Sequence, residues 1–199
     1  MSLRTLLHLA PHPNPAVDPA KSAALSWRIF DREDHSLNGE EDQHLRHLLR
    51  VSFPFEKAFS FRRYLKNPPE YRWFAVDPEG HIVAHVGVHI KTLGTALGEL
   101  TVGGISEVCV KSDYRGRGIL KELLGSVHPW LRARQIPFAL LFGQPPIYRS
   151  SGYLQIYNPI QSTNGLARHW NPFCGKPMIK PLSDHTWPAG AIDLRGPSF

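Results

Sequence analysis

Residues 111 to 121 read K-S-D-Y-R-G-R-G-I-L-K, a basic stretch built around two glycines. Gly116 and Gly118 permit tight backbone curvature and close approach of an anion, while Lys111, Arg115, Arg117 and Lys121 add positive charge. Val108 to Val110 ends an apolar strand-like run just before it, and Ile119, Leu120, Leu123, Leu124, Val127, Trp130 and Leu131 recur at helical spacing just after it. The stretch is therefore a turn from strand into helix, where unpaired N–H groups and the positive end of the helix dipole meet, and that is an anion site. A bare Gly-x-Gly is often only a tight turn; the flanking cations favour a phosphorylated ligand. Two common phosphate cradles are excluded. The string G-x-x-x-x-G-K-[ST] does not occur, and Lys121 stands where a dinucleotide fingerprint requires its third small residue.

Other constellations carry less chemistry. His81, His85 and His89 fall in a strand pattern, where four residues span about 13 Å, so one metal ion cannot gather them. His44 and His47 lie one helical turn apart with no third ligand in view, and read as surface residues. No metal site is expected. The acidic stretch from Asp31 to Asp42 suits a solvated segment and a helix N-terminus, or the wall of a site for a polycationic ligand. Phe53, Phe55, Phe59 and Phe61 are read as core, with a ligand pocket as the alternative.

The elements that must hold these residues follow from periodicity. Leu25 to Phe30 is strand-like, and Asn38 with Glu41 forms a capping box for a helix burying Leu45, Leu48 and Leu49. Phe55, Phe59, Tyr64 and Leu65 suggest a second helix ending at Asn67, before Pro68 and Pro69. Strands are expected at 71 to 76, from 81 to 90 with clean alternation, and at 100 to 110, where Gly103 and Gly104 mark a bulge or bend. Helix 119 to 131, bent near Gly125 by Pro129, leads to the continuous apolar run 137 to 143, a strand covered on both faces. Strand, helix and strand over about 40 residues make a parallel βαβ unit. A short helix at Pro145 or Pro146 and a strand from Tyr153 to Tyr157 complete the pattern. The fold class is α/β (α+β), a mixed central sheet of about six to seven strands flanked by helices. Residues 1 to 24 read as a flexible N-terminal arm, and 25 to 199 as one domain whose proline-rich tail, from Asn158, wraps it.

The stretch V-C-V-K-S-D-Y-R-G-R-G-I-L-K-E-L-L, followed by I-Y-R-S-S-G-Y, resembles the GCN5-related N-acetyltransferase (GNAT) superfamily. That family's phosphate loop, [QR]-x-x-G-x-[GA], is matched by Arg115 and Gly118, and its later Y-x-x-x-G-[FY] by Tyr148, Gly152 and Tyr153. Leu120 departs from the final small residue. The resemblance covers roughly residues 70 to 157, and a finer likeness points to members acting on small molecules. It implies acetyl-CoA as acyl donor, its pantetheine along Val108, Cys109 and Val110 and its pyrophosphate on the amides of Arg115, Gly116, Arg117, Gly118, Ile119 and Leu120. It also implies Tyr148 as the general acid that meets the departing thiolate. An incoming ammonium must first lose a proton to a base. Glu107, sharing a strand face with Cys109, is the first candidate; His85, His89 and the carboxylate at Phe199 are alternatives.

The function expected is N-acetylation of a small primary amine. The alternatives are a protein or peptide amine as acceptor, or a non-catalytic CoA-binding module. Charge agrees with a polyanionic ligand: 23 Lys and Arg stand against 17 Asp and Glu, a net +6. That net charge is a difference between two poles, since Lys111 to Arg134 holds six cations against two acids, and Asp31 to Asp42 six acids against one Arg. Cations concentrated in one turn without a nucleic-acid-reading motif argue against nucleic acid as partner. No apolar run approaches the roughly 18 residues of a membrane span, and two cysteines, Cys109 and Cys174, are too few for a disulfide framework. A cytoplasmic protein is expected, with a homodimer left open.

Overall fold

A computed structural model describes residues 26–162 and 175–199; the predicted N-terminal arm and Cys174 lie outside them. The central sheet runs β1 (Arg28–Glu33), β2 (Tyr71–Val76), β3 (Ile82–Thr95), β4 (Gly98–Val110), β5 (Phe138–Gly143), then β8 (Lys176–Pro181) and β6 (Leu154–Gln155). Two short strands, β7 (Ile160–Gln161) and β9 (Ile192–Asp193), pair with each other in parallel, and β9 also meets β3 at Gly94. The seven-strand path agrees with the expected mixed sheet, and along it neighbouring strands are antiparallel except β4 and β5. Those two are joined by α2 (Ile119–Ala133), the predicted βαβ unit.

Helices cover the sheet on both faces. Val86, Val88 and Ile105 pack with Leu123, Leu124, Val127 and Leu131 of α2. On the opposite face, Phe74, Ile82 and Cys109 pack with Leu45, Leu48 and Leu49 of α1 (Gly39–Ser52). α1 starts as expected: the Asn38 side chain accepts from the Glu40 and Glu41 amides at 3.0 and 2.9 Å, and Glu41 Oε2 accepts from the Asn38 amide at 3.0 Å. α2 runs unbroken across Pro129.

Several expectations are corrected. Residues 55 to 67 form only a 3-10 turn, Lys57–Ser60, not a second helix. Phe59 is core, but Phe55 is 95% and Phe61 82% exposed, because without the helix no common face buries them. Gly103 and Gly104 sit in regular ladder positions and serve close packing instead: a Cβ would come within 2.5 Å of the Leu131 side chain on Gly103 and of the Phe199 ring on Gly104. The bulge falls further on, at Glu107. The tail contributes β8, inserted between β5 and β6, with its prolines at register positions opposite Phe142 and Phe138. The last strand is shorter than expected, only Leu154–Gln155, because the chain leaves β8 after Ile156 and goes on to pair β7 with β9.

Candidate active site

β4 pairs with β5 only from Gly103 to Ile105, against Ala139 to Leu141. Beyond Ile105, residues 106 to 110 have no partner strand on that side among the described residues, so the sheet opens into a wedge. The opening has a local cause. Opposite β3, the register jumps between His85, which faces Cys109, and Gly87, which faces Ser106, leaving Glu107 and Val108 against one residue. Glu107 takes φ +51°, the left-handed region that costs a non-glycine residue roughly 1–2 kcal/mol. The bulge turns Glu107 to the same face as its neighbour Ser106, toward α1, whereas Val108 packs toward α2.

Polar partners hold the Glu107 conformation. His85 Nδ1 donates to the Glu107 carbonyl at 2.9 Å. Its carboxylate accepts from the Leu65 amide at 2.8 Å and from Arg72 Nη1 at 2.9 Å. Arg72 is fully buried and has four anchors: besides Glu107, its Nε donates to Asp34 Oδ1 at 2.6 Å, its Nη2 to the Arg63 carbonyl at 2.8 Å, and its Nη1 approaches His85 Nε2 at 3.0 Å. Burial is the largest influence on Glu107 and raises its pKa, against the pull of Arg72 and the Leu65 amide. Each carboxylate oxygen keeps one free lone-pair direction.

Glu107 and Tyr148 line one cavity of about 280 Å³ at the mouth of the wedge. The expected short helix forms as α3 (Pro145–Tyr148) and ends on Tyr148, whose ring lies 5.9 Å from that of Tyr153. Burial pushes its phenol up to about 12. The hydroxyl has no hydrogen-bond partner among the described residues. Ser106 also lines the cavity, and its buried hydroxyl is likewise unpartnered.

The basic turn leads from β4 into α2. Gly116 and Gly118 take φ +73° and +86°, and a Cβ on either would meet nothing within 4 Å. Gly118 is the N-cap of α2 and supplies no side-chain cap, so the first amides of the helix, from Ile119 and Leu120 on, face open space. Arg115 and Arg117 are anchored through Nε to the Val110 carbonyl at 3.0 Å and the Asp113 carbonyl at 3.1 Å, which fixes their stems beside this opening. Glycines at positive φ, uncapped amides and fixed cations fit a pyrophosphate, and the wedge from Val108 to Val110 fits an extended chain leading from it.

The structure separates the candidate bases. The His85 Nε2 lone pair faces Arg72 Nη1, and burial holds its pKa well below the usual value, so it is a neutral structural group. His89 is lowered to about 4 by burial, and neither histidine lines the cavity. Cys109 is buried toward α1, its thiol raised to about 12 by burial. Phe199 does line the cavity. The acidic stretch is largely engaged: Asp34 binds Arg63 and Arg72, and Asp42 binds Arg63 and Arg46 at 2.9 Å each. Sequence reasoning missed Arg72 and Asp34. The signal was available, since Arg72 interrupts the apolar strand Y-R-W-F-A-V, and a buried arginine requires carboxylates.

A wedge between two parallel strands that ends on a basic, glycine-containing turn has room for an extended, phosphate-tailed ligand. Residues 35–156 match the acetyltransferase (GNAT) domain, so the chain belongs to the GNAT family of acyl-CoA-dependent N-acyltransferases. Solved structures agree in fold. The GNAT family N-acetyltransferase YhbS from Escherichia coli, in complex with CoA, is 17% identical, with a TM-score of 0.66 over 92% of this chain and 93% of that one. An acyl-CoA N-acyltransferase from Pseudomonas aeruginosa (15% identity, TM-score 0.55, 78% and 99% covered) and a GNAT acetyltransferase from Staphylococcus aureus (14%, 0.54, 78% and 100%) are similar in the same way. No curated protein matches the chain in sequence.

Proposed function

We propose that the protein transfers the acetyl group of acetyl-CoA to the primary amine of a small molecule. The observation that carries this reading is the shared cavity: Tyr148 and Glu107 line one space, where the wedge that would hold the thioester opens. When bound, acetyl-CoA would supply an acyl group on a thiolate leaving group. Val108 to Val110 would hold its pantetheine arm, and the amides of Arg115 to Leu120, with the nearby cations, its pyrophosphate.

Tyr148 donates the proton that a departing sulfur needs. A phenol at about 12 is a poor acid toward an ordinary thiolate, whose conjugate acid lies near 8.5. The environment narrows the mismatch. Burial disfavours any anion, so a thiolate that departs into this enclosed space would be more basic than one in water, as the phenol is less acidic. Glu107 takes the proton from the incoming ammonium, directly or through water, with burial making it a stronger base than a surface carboxylate.

A cytoplasmic location is part of this reading; no described helix is long and apolar enough to cross a membrane. The test is thiol release from acetyl-CoA over a panel of amines, with the Glu107→Gln variant. The amide keeps the shape and can still accept the Leu65 amide, so acetyl-CoA binding should hold while kcat falls roughly 10²–10⁴-fold and the acid limb of the pH profile disappears. An unchanged kcat and pH profile would remove Glu107 as the base; no thiol release with any amine would remove the acyl-transfer reading.

A further inference from the structure

The cavity walls narrow the choice of amine. On one side the rings of Phe53 and Phe59, from the segment after α1, lie 5.4 Å apart. On the other, Phe142 from the end of β5 and Phe199 lie 5.6 Å apart. The Phe199 position is built into the fold. Its ring fits because Gly104 has no side chain: a Cβ there would lie 2.5 Å from the ring. The residues before it are tied down, with Lys91 Nζ donating to the Pro197 carbonyl at 2.8 Å and Lys66 Nζ to the Ser198 hydroxyl.

Charge points the same way. Glu107 is neutralised by Arg72, and the carboxylates that would draw in a polycation, Asp34 and Asp42, are engaged with arginines. The remaining charged residues of the lining are Glu56, exposed and with no ion pair among the described residues, and Lys66, whose Nζ donates to the Ser198 hydroxyl and whose charge further disfavours a polycation. One carboxylate and a set of ring faces suit one ammonium. A volume of about 280 Å³ is at the small end for a ligand site, so the part of the acceptor seated among the rings is compact.

Resting on the acyl-transfer reading, we propose that the acceptor is a compact primary monoamine with an aromatic or branched aliphatic body, seated between Phe53/Phe59 and Phe142/Phe199. Gly104, by admitting the Phe199 ring, sets the size of the seat and acts as a specificity-determining position.

The experiment compares phenethylamine and isoamylamine with spermidine, kanamycin and a lysine peptide, by thiol release and by calorimetric titration into the CoA-saturated protein. Phenethylamine should exceed spermidine, kanamycin and the peptide at least tenfold in kcat/KM. Gly104→Ala, which drives the ring into the cavity, should raise the phenethylamine KM about tenfold and leave the acetyl-CoA KM unchanged. Adding Phe199→Ala to that variant should return most of the loss. Should Gly104→Ala not fold, Phe199→Ala alone should weaken phenethylamine binding severalfold without changing acetyl-CoA affinity. A polycation or peptide turned over better than phenethylamine, or amine parameters indifferent to both substitutions, would overturn the seat and leave acyl transfer standing. If no amine releases thiol, acyl transfer fails, and titration still decides the seat: phenethylamine binding sensitive to Phe199→Ala upholds it, and no binding overturns it.

Discussion

Replacing Arg72 with methionine tests whether the network around Glu107 is as tightly coupled as its geometry implies. The side chain is fully buried and sits between two carboxylates, Asp34 at 2.6 Å and Glu107 at 2.9 Å, whose side chains are 11% and 6% exposed. Methionine keeps much of the volume and removes the charge. Asp34 retains Arg63 at 2.7 Å, but Glu107 is left with no cation. Orphaning a buried carboxylate costs about 3–5 kcal/mol, which at 2–4 °C per kcal/mol lowers the melting temperature by about 6–20 °C. Arg63→Met, at a side chain 26% exposed, is the comparison and should lose only about 1 kcal/mol. The assay is urea denaturation at pH 7 and pH 5. Without Arg72 the pKa of Glu107, already raised by burial, climbs further, so the variant takes up a proton more readily than the wild type and its deficit should narrow at pH 5. A deficit below about 1 kcal/mol, or one equal at both pH values, would refute the reasoning.

Further predictions concern the cradle and pH. Gly118→Ala should weaken acetyl-CoA binding by about tenfold and lower stability by about 1–2 kcal/mol, since alanine at φ +86° is strained and its methyl enters the space facing the helix amides; calorimetry with unaltered affinity would contradict the loop assignment. Stability should fall as pH drops from about 6.5 toward 4, because His89 and His128 are both held near 4 by burial while the unfolded chain binds those protons near 6.5. Each contributes up to about 3 kcal/mol, present in full above pH 6.5. Glu107 acts in the opposite sense, gaining stability as it protonates, but only above its unfolded value of about 4.5. His128→Gln should therefore flatten a melting-temperature series between pH 7 and pH 5, and an unchanged slope would count against the burial of a neutral His128.

The parts of the site legible in the sequence are those written locally. The Asn38 capping box, the strand-to-helix basic turn and the spacing of Tyr148 from Gly152 each depend on residues within a few positions of one another, and the structure places them as read. What escaped depends on contacts between distant segments. The bulge at Glu107 is held by His85, Leu65 and Arg72, and no pattern near residue 107 announces it. Gly103 and Gly104 looked like bend residues because a glycine pair in a strand serves bends and close approaches alike, and only the docked Leu131 and Phe199 side chains decide between them. The exposed Phe55 and Phe61 show the limit of reading aromatic residues as core where no regular element supplies a buried face.

The central claim is that Tyr148 protonates the leaving thiolate in a site that binds acetyl-CoA independently of it. Single-turnover thiol release by Tyr148→Phe, at saturating acetyl-CoA and with its binding measured in parallel, tests this most directly. The ring remains to pack against Tyr153, so the dissociation constant should stay within about twofold of wild type while the chemical step slows by roughly 10²–10⁴-fold. A variant that binds acetyl-CoA and releases thiol as fast as the wild type would contradict the account.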